Sequence, residues 1–199
     1  MSIPEGSKRR LVLLERLLSD YSEKTITSQK IQQLTGWSSA VVRRDILNID
    51  VKCGATNGYK VAELKEALVN QLYDFKDKEV KCCIVGLGKM GQRFLDTNEL
   101  YDSPFKIVAG FDSSVNKTEV LSSSFPLHPT PKMKQIIQEE KISYALLTVE
   151  SFEAQDMANL LVESGIKGIV NYTPCVLSVP EEIKVENVSL LTALYQLKA

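Results

Sequence analysis

Three glycines between positions 86 and 91 have the residue type and spacing that most clearly suggest chemistry in this sequence. Gly86, Gly88 and Gly91 form a GxGxxG pattern within "CCIVGLGKMGQRF", after an apolar run and before an amphipathic stretch. Between a strand and a helix, the first glycine permits a tight turn, the second lets the backbone approach a pyrophosphate, and the third lets the helix pack on the strand. We expect this turn to hold a phosphate-bearing ligand through six residues: Gly86, Leu87, Gly88, Lys89, Met90 and Gly91.

Asp112 ends the run "KIVAGFD", about 20 residues beyond the glycine turn. A carboxylate at this position binds the 2′-hydroxyl of a ribose and repels a 2′-phosphate. The glycine turn and Asp112 together predict a dinucleotide site that takes NAD(H) in preference to NADP(H). The alternative is a doubly wound domain whose nucleotide site has been lost.

Groups that could catalyse a reaction at this site are not apparent in the sequence. The only histidine, His128, lies between prolines in "FPLHPTPK", which predicts a loop tip. No nucleophile and base are paired, and the four cysteines form no CxxC pair, so the sequence predicts neither catalysis nor a metal site. Tyr172 and Cys175 could lie near a ligand, but we interpret both as packing residues.

The elements that position the glycine turn alternate along the second part of the chain. Apolar runs predict strands over 80–85, 106–111, 143–149 and 167–171, with helices over 89–97, 132–140 and 153–164. Such alternation predicts an α/β fold with a parallel sheet covered on both faces. A helix over 62–76 and the polar stretch "DKEVK" precede it and mark a domain boundary.

The first 62 residues form a separate, basic region. Their ten Lys/Arg and six Asp/Glu give a net charge of +4, whereas the remaining 137 residues carry −5. "KRRLVLLERLLSDY" predicts an amphipathic helix, and "TITSQKIQQLTGWSSAVVRRDILNI" predicts two short helices. Thr27 or Ser28 would cap the first of these, Gly36 would end it, and Ser38 would cap the second. This order predicts a helix-turn-helix that binds a polyanion such as DNA.

The second helix of such a motif lies in the major groove and contacts base edges with its N-terminal residues. We therefore expect DNA contacts from five residues: Ser38, Ser39, Ala40, Arg43 and Arg44. The alternative is that "RRD" is a solvated helix face in which Asp45 serves as the counter-ion. Asn57-Gly58 within "VKCGATNGYKV" predicts a hairpin, which would make the motif a winged helix.

The sequence contains no apolar run of the roughly 18 residues that a membrane-spanning helix needs. Its start, "MSIPEGSKRR", lacks the apolar centre of a signal peptide. We expect a cytoplasmic protein that does not associate with membranes.

Motifs along nearly the whole chain resemble those of one family, the redox-sensing transcriptional repressor Rex. They are "KRRL", "VRRD", "GYKV", "IVGLGKMG", "GFD", "LLTV", "GIKGIVNYTP" and "VLSVPEEIKVENV". The resemblance implies a winged helix over residues 1–77, a Rossmann-like NAD(H)-binding domain over 78–186, and a C-terminal helix within 187–199 that is swapped between the subunits of a homodimer. It implies binding to an A/T-rich inverted-repeat operator when NAD⁺ predominates, and release when NADH is bound.

The resemblance also extends both sets of site residues. For the cofactor it adds five residues after later strands: Thr148, Val149, Asn171, Thr173 and Pro174. For DNA it adds four residues in the first helix and the wing: Arg10, Lys52, Gly58 and Lys60.

Several positions depart from the family's pattern. The family usually has an Arg or Lys at the wing tip, where this chain has Ala55 and Thr56. It also couples ligand to domain movement through an Arg in the first helix, a Tyr after the glycine-rich helix start and an Asp opening the C-terminal helix. Arg16 matches the first of these, whereas Thr97 and Ser189 stand at the other two positions.

The family's "TVP" is "TVE" here, which places the charge of Glu150 near the expected ligand. These departures predict a weaker response to NADH. A function of another class stays open: a small NAD-dependent oxidoreductase, or a protein that binds CoA or another nucleotide, with an added helical domain.

Overall fold

The computed structural model describes residues 3–49, 58–73, 79–96, 100 and 103–198. The chain divides into two compact units, Met1–Asp77 and Lys78–Ala199.

The N-terminal unit is built mainly from helices. Its elements are α1 (Glu5–Ser19), β1 (Thr25–Ile26), α2 (Ser28–Thr35), α3 (Ser39–Leu47), β2 (Tyr59–Lys60) and α4 (Val61–Tyr73). Leucines spaced at helical intervals on α1 and α4 form its core together with isoleucines from β1, α2 and α3: Leu11, Leu14, Leu18, Leu64, Leu68, Ile26, Ile31 and Ile46. Burial of this apolar stripe fixes the positions of the two short helices between α1 and α4.

Capping residues end α2 and begin α3 as the sequence predicts. The Thr27 side chain accepts a hydrogen bond from the Lys30 amide at 3.0 Å at the start of α2. Gly36 ends this helix in the left-handed conformation, with φ of 76°. The Ser38 hydroxyl accepts from the Val41 amide at 3.3 Å and begins α3. The predicted helix-turn-helix is therefore present.

The strand that follows α3 pairs with a distant partner. β2 pairs antiparallel with β1, so that Tyr59 lies opposite Ile26. Gly58 has φ of 106°, and a Cβ there would lie 2.7 Å from the carbonyl oxygen of Ile26. The tip of the predicted hairpin, with Lys52, Ala55 and Thr56, lies outside the described residues.

The second unit contains a six-stranded parallel sheet. Its strands are β3 (Val80–Val85), β4 (Phe105–Asp112), β5 (Leu127–Pro129), β6 (Tyr144–Leu147), β7 (Gly168–Asn171) and β8 (Lys184–Asn187). Its helices are α5 (Lys89–Gln92), α6 (Val115–Val120), α7 (Met133–Glu140), α8 (Ala154–Glu163) and α9 (Leu190–Lys198), with a 3₁₀ turn over Thr130–Lys132. The prediction of a doubly wound α/β fold is confirmed.

The strand order is β5-β4-β3-β6-β7-β8. The chain therefore runs outward from β3 to one edge and returns to build the other half from β6. This reversal between β3 and β6 places the glycine turn at the point where open α/β sheets bind ligands, beyond the carboxyl ends of the strands.

Three details of this unit differ from the predictions. The helix predicted over 89–97 is α-helical only in α5, and the residues after it form tighter turns in which Phe94 N–H donates to Gly91 C=O at 3.0 Å. Two short strands, β5 and β8, and the short helix α6 were not predicted. His128 lies on β5 rather than at a loop tip, 5.9 Å from the ring of Phe111. Burial lowers the pKa of His128, and the neighbouring Lys132 lowers it further.

The two edge strands differ in how they end the sheet. β5 has three residues and ends at Pro129, which has no N–H to donate. β8 has four residues and carries the charged side chains of Lys184 and Glu186.

Helix α9 follows β8 and buries none of its residues within the chain. Its apolar side chains are exposed in a group: Leu190, Leu191, Leu194, Tyr195 and Leu197. Among the described residues, no helix has the length and apolar character needed to cross a bilayer.

Candidate functional site

The three glycines of the turn have different surroundings. Gly86 has φ of 98°, and a Cβ there would lie 2.8 Å from the carbonyl carbon of Thr148. A Cβ on Gly91 would overlap the carbonyl oxygen of Gly86. A Cβ on Gly88, in contrast, would meet no atom of the described residues within 4 Å. The first and third glycines therefore close the turn against β3 and β6, and the second presents bare backbone to open space.

Thr148 links the turn to the neighbouring strand β6. Its buried hydroxyl lies 2.7 Å from the carbonyl oxygen of Gly86 and 3.1 Å from that of Val85, and donates toward both. The glycine turn is thus held in place at the carboxyl end of β6. Of the turn's other predicted residues, Leu87 has a fully buried side chain, whereas Lys89 and Met90 are exposed.

Asp112 lies at the end of β4, buried beside the glycine turn. Its carboxylate accepts hydrogen bonds from the amide of Leu87 at 2.7 Å and from the amide of Ser114 at 2.8 Å. The ammonium of Lys117 also donates to it at 3.1 Å. Asp112 therefore shapes the turn as well as facing the cavity, and Lys117 offsets part of its charge.

One cavity lies where the glycine turn and the carboxyl ends of β4 and β6 meet. Its lining includes Gly86, Gly88, Asp112, Lys117, Thr148 and Val149 from the segments already described. Glu150 and Glu153, which follow β6, also line it. The structure brings together the glycine turn, Asp112, Thr148 and Val149, as predicted from the sequence.

The loop after β7 has a different arrangement. Asn171 is fully buried, and its amide nitrogen donates to the Cys175 carbonyl oxygen and to the Asn187 side chain, both at 2.8 Å. Its oxygen accepts from the amide of Thr173 at 3.0 Å and from the hydroxyl of Thr173 at 2.7 Å. Asn171, Thr173 and the exposed Pro174 shape this loop and are not among the cavity-lining residues.

The residues present fit a dinucleotide. The open face of Gly88 lets a diphosphate approach the backbone, while the carboxylate of Asp112 can accept a hydrogen bond from a ribose hydroxyl.

The thiols of Cys82 and Cys83 on β3 are buried, and burial raises the pKa of Cys82 to about 12. Among the described residues, no group of three or more His, Cys, Asp or Glu is placed to hold a metal ion.

In the N-terminal unit, α3 presents two adjacent cations to solvent. Arg43 and Arg44 are exposed, as are Ser38 and Ala40 at the start of the helix. Guanidinium groups at this position can bind phosphates or base edges bidentately. The hydroxyl of Ser38 is engaged in the helix cap, and Ser39 is half-buried.

Asp45 has a role that the sequence did not indicate. It is 3% exposed and accepts from Arg10 at 2.6 and 3.0 Å and from the Ser7 hydroxyl at 2.8 Å. The interpretation of Asp45 as the counter-ion of a solvated "RRD" face is therefore wrong. Arg10, which the sequence predicts as a DNA contact, forms a bidentate ion pair with Asp45 that joins α1 to α3.

Burial opposes ionisation of Asp45, but the hydrogen bonds from Arg10 and Ser7 and the charges of Arg10 and Arg44 outweigh it. The pKa of Asp45 is therefore lowered. The same hydrogen bond, with the charge of Asp45, raises the pKa of Arg10.

The remaining described wing residues lie beside β1. Gly58 packs its backbone against Ile26, and Lys60 is exposed with its ammonium 2.7 Å from the carboxylate of Glu63. Sequence reasoning did not identify Lys117 and Glu153 as cavity residues. For Lys117, its position five residues after Asp112, on the first turn after β4, is a signal that could have found it.

Comparison with known proteins covers both units. A family model described as "CoA binding domain" matches residues 77–175, and one described as "Putative DNA-binding protein N-terminus" matches residues 2–46. The redox-sensing transcriptional repressor Rex of Limosilactobacillus reuteri is 31% identical over 198 residues, which cover 98% of this chain and 92% of the relative. The Rex of an Exiguobacterium species is 32% identical and covers 98% of this chain and 90% of the relative.

Solved structures of RSP, a Rex-family repressor, match the whole chain. The complex of RSP with β-NAD⁺ and operator DNA has a TM-score of 0.88 and 26% identity, covering 100% of this chain and 92% of that one. The complex with β-NADH has a TM-score of 0.86 and 27% identity, covering 100% and 93%. With these matches and the curated relatives above 30% identity, the chain belongs to the Rex family of redox-sensing transcriptional repressors.

Proposed function

We propose that this protein is a transcriptional repressor that binds operator DNA through α3 and reads the NADH/NAD⁺ ratio at the glycine turn. The observation that carries the proposal is the turn itself, in which Gly86 and Gly91 are tightly packed while Gly88 opens into a cavity shared with Asp112. A nucleotide bound there would present its diphosphate to the Gly88 backbone. Its ribose would then reach Asp112.

We assign the two sets of binding residues as follows. The cofactor set is Gly86, Leu87, Gly88, Lys89, Met90, Gly91, Asp112, Thr148 and Val149, with Asn171, Thr173 and Pro174 shaping the loop beside it. The DNA set is Ser38, Ser39, Ala40, Arg43, Arg44, Lys52, Gly58 and Lys60, with Arg10 positioning α3 through Asp45.

The protein acts as a binding protein and not as an enzyme in this proposal. The half-buried His128 lies on the edge strand β5 and packs its ring against that of Phe111 on the neighbouring β4. Incubation with NADH and candidate carbonyl substrates should leave NADH absorbance unchanged. Its steady loss in proportion to protein would contradict the assignment.

The working form is a homodimer. One recognition helix reads one half-site, so an inverted repeat requires two copies of α3. The exposed leucines of α9 support the same assignment, because a helix with no buried residue needs a partner for its apolar side chains. The swapped position of α9 is the arrangement that the family resemblance implies.

The experiment that tests the function is an operator-binding titration with NAD⁺, NADH or neither. A pool of duplexes containing inverted repeats would first be selected for binding in NAD⁺. Sequence-preferring binding that NADH weakens supports the proposal. DNA binding without sequence preference would contradict the proposal. So would DNA binding that neither nucleotide affects, if calorimetry also shows that CoA binds more tightly than NAD(H).

Replacing Arg43 or Arg44 with alanine should weaken operator binding by about 1–3 kcal/mol for each residue that makes a good contact. Loss of a contact to a base should relax the sequence preference at one position of the operator. Loss of a contact to phosphate should reduce the slope of log affinity against log salt concentration by about one. The measurement is fluorescence anisotropy at several salt concentrations. Lys65→Ala on α4 removes the same charge and serves as the control. Operator affinity unchanged in the double variant Arg43→Ala/Arg44→Ala would contradict the role of α3.

The response to NADH should be smaller than in relatives that carry the full Arg, Tyr and Asp set. Arg16 is exposed and has no ion-pair partner among the described residues, while Ser189 lacks the charge of an Asp. Loss of a charge-assisted contact worth about 1.5–3 kcal/mol reduces the coupling between NADH and DNA about ten- to hundredfold. Thr97 lies outside the described residues.

Titration of NADH against the operator complex measures this coupling. The double variant Thr97→Tyr/Ser189→Asp should strengthen release, and Thr97→Val/Ser189→Ala should not. Complete release by micromolar NADH from the unaltered protein, with NAD⁺ ineffective, would show that other contacts supply the coupling.

A further inference from the structure

Two carboxylates line the nucleotide cavity on the side of β6. Glu150 is exposed and Glu153 is half-buried, and both belong to the segment between β6 and α8. A backbone hydrogen bond of 3.0 Å from the Glu153 amide to the Glu150 carbonyl oxygen closes a turn between them. The two acidic groups are therefore held within one turn at the rim of the cavity.

In the part of the chain that the structure describes, no ion pair offsets the charge of these groups. Among the described residues, neither carboxylate has an ion-pair partner. Lys117 is the one cation among the cavity-lining residues that the structure describes, and its ammonium is bound to Asp112. The β4 side of the cavity thus carries a paired charge, whereas the β6 side carries unpaired negative charge.

The direction of a bound dinucleotide follows from the fold. The carboxylate after β4 faces the adenosine ribose, and the dinucleotide crosses the reversal point between β3 and β6. Its second nucleoside therefore extends toward the carboxyl end of β6. Glu150 and Glu153, which follow β6, line the cavity on that side, where the nicotinamide would lie.

We infer that Glu150 and Glu153 set the redox preference of the site by favouring the cationic nicotinamide of NAD⁺ over the neutral ring of NADH. The inference rests on the proposed nucleotide function and concerns which form of the cofactor this site prefers. NAD⁺ carries one more positive charge than NADH, so a nearby carboxylate stabilises it selectively. Unit charges roughly 6 Å apart in a water-like medium change an equilibrium about threefold.

This preference shifts the NADH/NAD⁺ ratio at which the protein responds to a higher value. If both carboxylates favour NAD⁺, NADH competes about tenfold less well than it would in an uncharged site. The protein would then exchange NAD⁺ for NADH only at a higher NADH/NAD⁺ ratio.

Calorimetric titration of the full-length protein with NAD⁺ and NADH tests the inference. Glu150→Gln and Glu153→Gln should each change the ratio of the two dissociation constants about threefold in favour of NADH, and the double variant about tenfold. Glu163→Gln removes the same charge at the far end of α8 and should leave the ratio unchanged. Because the preference is electrostatic, high salt should weaken it. The ratio of the NAD⁺ and NADH dissociation constants of the unaltered protein should then approach that of the double variant.

The outcomes separate the inference from the proposed function. If both nucleotides bind and the ratio is the same in the unaltered protein and the double variant, Glu150 and Glu153 do not set the preference, and the proposed function stands. If neither nucleotide binds the unaltered protein, the proposed function itself fails. Thermal melting of each variant checks that the substitutions leave the fold unchanged.

Discussion

Replacing Asp45 with alanine should lower the free energy of unfolding of the protein by about 3 kcal/mol, at the lower end of the range for breaking a buried ion pair. The substitution leaves the guanidinium of Arg10 and the hydroxyl of Ser7 without their shared acceptor. The cost stays at the lower end because the Arg10 side chain is 28% exposed and regains some contact with water. Urea denaturation followed by circular dichroism measures the change.

The same variant should lose operator affinity, because Arg10 and Asp45 join α1 to α3, which carries Arg43 and Arg44. Glu66→Ala removes an exposed carboxylate on α4 and should change the free energy of unfolding by no more than about 0.5 kcal/mol. The pair Arg10→Met/Asp45→Leu tests whether the cost comes from an unpaired charge, since the double variant should recover much of the stability. Stability of Asp45→Ala equal to that of Glu66→Ala would contradict the importance of this ion pair.

The pH dependence of stability has a defined sign. Because the pKa of Asp45 is lowered in the folded protein, its contribution is present above the unfolded-state pKa of about 3.9 and is lost as pH falls through the folded value. The difference in stability between the parent and Asp45→Asn should therefore shrink as the solution becomes acidic. A difference that stays constant below pH 4 would contradict the assignment.

Substitution of Gly91 by valine should destabilise the second unit by more than about 3 kcal/mol and abolish nucleotide binding as a consequence. A Cβ at this position overlaps a backbone carbonyl oxygen, which cannot rotate away as a side chain could. Gly88→Val provides the matched comparison, because a Cβ at Gly88 lies more than 4 Å from every atom in the described part of the chain. It should retain the parent's melting temperature but weaken NAD(H) binding about a hundredfold or more, equivalent to about 2.7 kcal/mol.

Differential scanning calorimetry and nucleotide titration of both variants separate packing from ligand contact. Equal melting temperatures for the two variants would show that the Gly91 contact is not needed for folding. NADH binding to Gly88→Val with the parent's affinity would show that the diphosphate does not approach this backbone.

Local signals were sufficient to predict most of the helices and the central strands. Thr27, Gly36 and Ser38 act on residues within four positions, so their capping roles are visible in the sequence. The glycine turn is equally local, and the apolar run at the end of β3 predicts a buried parallel strand.

Other features depend on contacts between distant positions. Arg10 pairs with Asp45 across 35 residues, and no local pattern shows that pairing. Helical spacing does place Asp45 on the face of the buried Val42 and Ile46, but it does not show which cation Asp45 meets there. β5 and β8 have only three and four residues, too few for a clear alternation of apolar and polar side chains. The proline in β5 and the charged residues in β8 also weaken the strand pattern. α5 is shorter than predicted because the apolar pattern of 89–97 continues into tighter turns that bury Phe94 and Leu95 as well.

The ends of the six-stranded sheet limit how copies of this protein can associate. An unprotected edge strand offers backbone donors and acceptors to any other extended chain and promotes aggregation. Here the edge strand β5 is short and ends at Pro129, and the other edge strand, β8, carries the charges of Lys184 and Glu186. Growth of the sheet across two molecules is therefore disfavoured at both ends. Self-association is directed instead to side-chain surfaces, and a two-fold symmetric contact between such surfaces closes after two copies.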